Sequence, residues 1–249
     1  MFCSIDAESA IETTKRLFEL ARTPKRIEVL INFDEEDFDT KSLEIAFTEE
    51  LPEYIDNIKI VLSPKGFGYC DCRRMFEEMF DKSTGEFIFE FNDSFESITT
   101  GYDELVNKYR GKLVFLTVDE ICDVDDTKQK WHEYFDFPIV NRKWIEITGR
   151  LCYTNSPASD LYPILKYYPD IVKPSGIKLV HFPGHPPSSS QSETDSNSQG
   201  MCTLIDDESY RFNKKILHKG KTLYHYESLQ EIDIPRVRKF LELNSEYKV

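Results

Sequence analysis

Several short polar stretches stand directly after apolar runs, and their residue types are suited to chemistry. Asn92-Asp93-Ser94 follows the run Glu86-Phe87-Ile88-Phe89-Glu90-Phe91, itself preceded by Ser83-Thr84-Gly85. A tight glycine turn, a buried strand and an acidic tip put Asp93 at the rim of a sheet. A carboxylate there can hold Mg2+ or Mn2+ against a diphosphate. The same stretch also reads as a turn whose Asn and Asp cap backbone groups. Asp34 opens the run Asp34-Glu35-Glu36-Asp37 after the strand Ile27–Phe33, and is the one residue of that solvated run placed for a contact. Ser63-Pro64-Lys65-Gly66-Phe67-Gly68 closes another apolar run. Asp160, after Pro157-Ala158-Ser159, reads as a base for a hydroxyl or as the N-cap of a helix over Leu161–Tyr167. His181 ends an apolar strand and reads as a metal ligand or as a satisfied rim group.

The elements that must position these residues are legible from periodicity. Ser9-Ala10-Ile11-Glu12 reads as a capping box, and Ala10, Ile11, Thr14, Leu17, Phe18 and Ala21 then recur at helical spacing up to Thr23-Pro24. Cys72, Met75, Phe76, Met79 and Phe80 mark one face of a second helix. Tyr102, Leu105, Val106 and Tyr109 mark a third, and Pro235–Leu243 a last one with Val237, Phe240 and Leu241 on one face. Strands are expected at Ile27–Phe33, Ile58–Leu62, Glu86–Phe91, Leu113–Val118 and Ile177–Phe182. Helix and strand alternate through the first half, which is the pattern of an α/β domain with a largely parallel sheet. Ligands of such sheets bind beyond the carboxyl ends of the strands, where Asp34, Gly66 and Asp93 fall. Trp131, Tyr134, Phe135 and Trp144 read as a sugar-stacking platform or as a second hydrophobic layer.

The chain has 249 residues, with 40% hydrophobic and 13% aromatic content, enough for a sizeable core. Acidic residues outnumber basic ones 45 to 31, a net charge of −14. That field repels nucleic-acid backbones, so no nucleic-acid partner is expected, while a nucleotide held by a cation and backbone N–H groups remains compatible. The six cysteines are scattered, and Cys70-Asp71-Cys72 has no second pair at zinc spacing. No basic region followed by an apolar run opens the sequence, and no run of about 18 apolar residues occurs, so a cytoplasmic protein without a transmembrane segment is expected. There is no P-loop, no GxGxxG and no Ser-His-Asp signature. Residues 184–200 contain no large apolar side chain and read as a flexible Ser/Pro-rich loop.

Taken in order, these pieces resemble the GT-A glycosyltransferases, in particular the family 2-like group. Thr84-Gly85-Glu86-Phe87-Ile88 leading to Asn92-Asp93 is similar to the segment in which that family binds its metal. Asp34 matches the acidic residue that holds the base, and Ser63–Gly68 followed by Arg73 resembles the segment along the ribose. Thr100-Gly101-Tyr102-Asp103-Glu104-Leu105 resembles the element that follows the metal motif. Phe137–Trp144, leading to Glu146 and Gly149, resembles the acceptor-side segment. Asp160 lies where the family often places its catalytic base, and His181 where a histidine often completes the metal shell. The resemblance covers residues 1–183, with 201–249 as a C-terminal extension packing on the domain. It implies a Rossmann-like nucleotide-diphospho-sugar transferase fold, with a mixed, mostly parallel central sheet flanked by helices. It also implies a nucleoside diphosphate sugar donor, a glycan or other hydroxyl acceptor, and Mn2+ or Mg2+ as cofactor. Asp160 would be catalytic, Asp34, Gly66, Arg73 and Asn92 nucleotide-binding, and Asp93 and His181 metal ligands. The chain departs from the family at Ser94, where a second carboxylate is usual, in a short first strand without arginine, and at Asn141. The alternative reading is a protein of the same shape that binds without turnover.

Overall fold

The computed structural model describes residues 1–4, 6–64, 72–90, 93, 95–121, 131–132, 138–149, 167–181, 216–218, 221–223 and 229–249. The chain is mixed α/β. Three strands, β1 (Phe2–Cys3), β2 (Val29–Asp34) and β3 (Ile58–Ser63), form a parallel sheet in that order. The register pairs Cys3 with Asn32 and Asp34 with Ser63, so the carboxyl ends of the three strands lie along one edge.

The helices follow from which residues these strands leave apolar on each face. Val29, Ile31 and Phe33 pack into one core with Leu17 and Phe18 of α1 (Ala7–Leu20) and Leu43 and Phe47 of α2 (Thr40–Glu50). Leu30 and Val61 point the other way, into a second core. There they meet Phe76 and Met79 of α3 (Cys72–Lys82), Trp144 of α5 (Arg142–Thr148) and Val237 of α6 (Ile234–Leu243). Burial on both faces is why β2 is an unbroken apolar run rather than an alternating one. Helix α1 begins three residues before the expected box: its cap is Asp6, whose carboxylate accepts from the Ser9 N–H at 2.9 Å and the Ser9 hydroxyl at 2.6 Å. Ser9 is therefore the recipient of the cap and not the cap.

The expectation of one mostly parallel sheet holds only for these three strands. The remaining large sheet is ordered β4-β8-β6-β9-β5, with β7 (Trp131–His132) beside β6. Its strands are β4 (Phe87–Phe89), β5 (Phe95–Ile98), β6 (Phe115–Ile121), β8 (Ile139–Asn141) and β9 (Val172–His181). Only β6 and β9 run parallel; β8 sits between β4 and β6 and opposes both. β5 and β7 are also antiparallel to their neighbours. The two sheets meet where the Met1 amino group donates to the Phe89 carbonyl at 2.7 Å, between β1 and β4. Strands β10 (Ile216–His218) and β11 (Lys221–Leu223) form a separate antiparallel pair.

Helix α4 (Tyr102–Asn107) is clasped to the end of α1. The Gly101 N–H donates to Leu20 O at 2.7 Å and the Tyr102 hydroxyl to Leu17 O at 3.1 Å. The Asp103 carboxylate accepts from the N–H groups of Arg22 and Thr23 at 2.9 and 2.8 Å, and from the Thr23 hydroxyl at 2.5 Å. Near the far end of the chain, the Tyr168 hydroxyl donates to Ile234 O at 2.5 Å, and Phe240 and Tyr247 pack edge to face with ring centroids 5.1 Å apart.

Candidate functional site at the carboxyl edge of the parallel strands

Chain order reverses between β1 and β4. From β1 the sheet grows through β2 and β3 on one side, while β4 lies on the other. In open α/β sheets a crevice forms at such a switch point, outside the carboxyl ends of the strands. Asp93 lies at that end of β1. Its Oδ2 lies 2.5 Å from the hydroxyl of Ser4, the residue after β1. Its backbone carbonyl accepts from the Thr13 hydroxyl of α1 at 3.2 Å. Asp93 is thus held to the end of β1 by its side chain and to α1 by its backbone.

A second chain of polar contacts runs along the same edge. The Ser4 N–H donates to Asn32 O at 2.9 Å, Asn32 Nδ2 donates to Ser63 Oγ at 2.6 Å, and the Ser63 hydroxyl donates to the Glu78 carboxylate of α3. Asn32 and Ser63 are fully buried, so these bonds satisfy groups that would otherwise be costly to desolvate. Asp34 ends β2 one register step beyond Phe33, half-buried, and its carbonyl accepts from the N–H groups of Asp37 and Phe38 at 3.2 and 3.1 Å. The turn that follows β2 is therefore closed on the Asp34 backbone.

Of the expected site residues, Asp34 and Asp93 lie on this edge. His181 ends β9 in register with Phe95, two residues from Asp93, so the backbone brings its position to the same side of the molecule. Arg73 falls in the first turn of α3, at the end of the segment that leaves β3. Gly66, Asn92 and Asp160 lie outside the described residues, as do Tyr134 and Phe135. Glu78, Asn32 and Ser4 were not singled out from the sequence. Glu78 stands on the polar side of an apolar helical stripe, which gave no sign of a buried partner 15 residues earlier.

Two expected functional segments have structural work. Trp144 is 0% exposed and meets Phe115 edge to face, with centroids 4.7 Å apart. It is core, which overturns the stacking-platform reading at this residue. Arg142 turns back onto the glycine turn before β4: Nε donates to Gly85 O at 2.7 Å, a terminal nitrogen donates to Ser83 Oγ at 2.5 Å, and the guanidinium lies 4.5 Å over the Phe80 ring. Asn141 caps α5 by accepting from the Lys143 N–H at 2.8 Å.

Among the described residues no group of three or more His, Cys, Asp and Glu side chains is placed to hold a metal ion. Of the carboxylates near this edge, which include Asp34 and Glu78, Asp93 is the one expected as a metal ligand. A hard cation such as Mg2+ is usually bound by one or two carboxylates together with substrate phosphates, and Asp93 fits one such ligand. No helix among the described residues is long and apolar enough to cross a membrane.

No family model matches the chain, and no curated protein sequence matches it. Among solved structures, S. aureus TarS 1–349 is similar over 58% of this chain and 47% of that chain, with 12% sequence identity and a TM-score of 0.42. This chain therefore spans less than half of that neighbour's length. A likeness this distant carries no argument about activity, which rests on the residues themselves.

Proposed function

We propose that the protein is a glycosyltransferase of the GT-A type, which moves a sugar from a nucleoside diphosphate sugar to a hydroxyl acceptor. The observation that carries this reading is the Ser4–Asp93 contact at the β1/β4 switch point. It brings the one acidic tip that resembles a metal-binding motif to the edge where α/β sheets take nucleotides. Asp34, at the end of β2 on the same edge, would hold the base, with Gly66 and Arg73 along the ribose and Asn92 beside the diphosphate. Asp93, with His181, would hold Mn2+ or Mg2+, which when bound supplies positive charge to the departing diphosphate. Ser4 fixes the rotamer of Asp93, and Thr13 fixes its backbone, so the carboxylate is pre-oriented before any ligand arrives. Asp160 would take the proton from the acceptor hydroxyl in a single displacement, if the reaction inverts the sugar. The acceptor is a glycan or another hydroxyl compound.

Turnover is tested by incubating the protein with a panel of nucleoside diphosphate sugars and measuring release of the free nucleoside diphosphate. The reading expects release from one donor class, lost in Asp160→Ala while donor binding persists. Binding of a nucleotide sugar without release, in the presence of candidate acceptors, would instead favour a protein of this shape that binds without catalysis.

A further inference from the structure

A cavity of about 470 Å³ opens at the opposite edge of the sheet, and nothing in the proposed transfer reaction uses it. It lies over the seam between the two sheets. Val29, the first residue of β2, lines it, whereas Asp34 at the other end of that strand belongs to the proposed nucleotide edge. Six strand residues separate the two sites by roughly 17 Å at ~3.3 Å per residue. The volume is within the range of small-molecule pockets, about 300–1,000 Å³.

The wall chemistry selects the sign of the occupant. Phe87, Phe89 and Tyr102 are among the residues that line the cavity. Its charged lining consists of four carboxylates, Glu28, Glu86, Asp103 and Glu104, and two guanidiniums, Arg26 and Arg110. Lys59 pairs with Glu28, and Arg110 lies 3.5 Å from Glu86, which cancels two of the carboxylates. Among the described residues neither Asp103 nor Glu104 takes part in an ion pair; Asp103 accepts from N–H and O–H groups of Arg22 and Thr23. With Arg26 as the one lining guanidinium outside an ion pair among the described residues, the lining side chains keep one negative charge in excess. The Met1 amino group in the wall adds little charge at neutral pH, because burial pushes it down to about 5. Aromatic faces beside excess negative charge attract cations with an apolar body, and the protein's net charge of −14 acts in the same direction.

We infer that this cavity is a second ligand site, which takes a small organic cation, an ammonium carried on an apolar body, at the seam of the two sheets. The probe is benzyltrimethylammonium, compared with its uncharged isostere neopentylbenzene and with benzenesulfonate, each titrated calorimetrically into the full chain. The expected result is saturable binding of the cation alone. Glu104→Gln, at an exposed position, is expected to weaken it by about threefold, the size of one partly screened charge contact. Val106→Trp, which fills the cavity from α4, is expected to abolish it, with circular dichroism checking that the variant is folded. The inference is overturned by absence of cation binding, by equal or tighter binding of the uncharged or anionic probe, or by unchanged binding in either folded variant. Nucleotide binding is expected to be unaffected by either substitution.

Discussion

At the residue scale, the contacts that decide behaviour join positions far apart in sequence. Asp103 is the clearest case. Burial pushes its carboxyl up, but the hydrogen bonds from Thr23 and Arg22 outweigh that and hold it below the usual carboxylate range. A depressed value means that its contribution is full above the unfolded pKa of about 3.9 and is lost as the pH falls through the lower folded value. Asp103→Asn is therefore expected to cost about 1 kcal/mol at neutral pH in urea unfolding, with the gap to the natural protein narrowing below about pH 4. A gap that stays constant down to pH 2 would mean that the charge of Asp103 has no part in the clasp. Ser4→Ala removes the donor to Asp93 and is expected to cost about 1 kcal/mol, read from the same unfolding curves.

At the element scale, apolar stripes announced α1, α3, α4 and α6, because each helix packs one face on a core, and apolar runs announced β2 and β3, which are covered on both faces. α2 was not legible: its buried pair Leu43 and Phe47 is accompanied by Ile45, which is 49% exposed and blurs the period. β5 was missed because four residues with a bulge at Phe95/Ser97 leave no alternation to count. The α1 boundary was misplaced because Ser9 and Glu12 fit a capping box while Asp6 fits a plain cap, and sequence alone does not rank them. Gly101 shows what tight element packing demands. Its φ is +75°, and a Cβ there would lie 3.3 Å from Arg22 Cγ. Gly111 has φ +73° with open space around it. Both Gly→Ala changes carry the left-handed penalty of about 1 kcal/mol. Gly101→Ala is expected to lose more than Gly111→Ala, since it also crowds the clasp. Equal losses in chemical denaturation would show that α4 shifts freely. Trp144→Ala, at the centre of the second core, is expected to cost about 3–5 kcal/mol, with the loss read in thermal or urea unfolding.

At the scale of the whole molecule, a parallel three-stranded unit and a mixed six-stranded sheet meet at one seam, and each end of that seam has its own chemistry. The carboxyl edge gathers Ser4, Asp34, Ser63 and Asp93, while the amino edge holds an acidic, aromatic cavity. The sequence made the polar strand ends visible one at a time. Their convergence depends on strand order and on the Met1–Phe89 contact, which no local pattern encodes. The contacts of Arg142 and the core position of Trp144 have the same origin: motif-like residue types were legible, and the partners 59 residues away for Arg142, or at Phe115 for Trp144, were not.

The central claim is that the edge around Asp93 binds a nucleotide together with a divalent cation. It is tested most directly by thermal unfolding of the protein with UDP, GDP and CMP and their sugars, each with and without Mn2+. A ligand that binds the folded state at about 100 times its dissociation constant stabilises it by about 2.7 kcal/mol, a shift of a few degrees. The account predicts such a rise for one nucleotide class, dependent on Mn2+ and lost in Asp93→Ala. No rise with any nucleotide at millimolar concentration, or a rise that Asp93→Ala leaves intact, would contradict it.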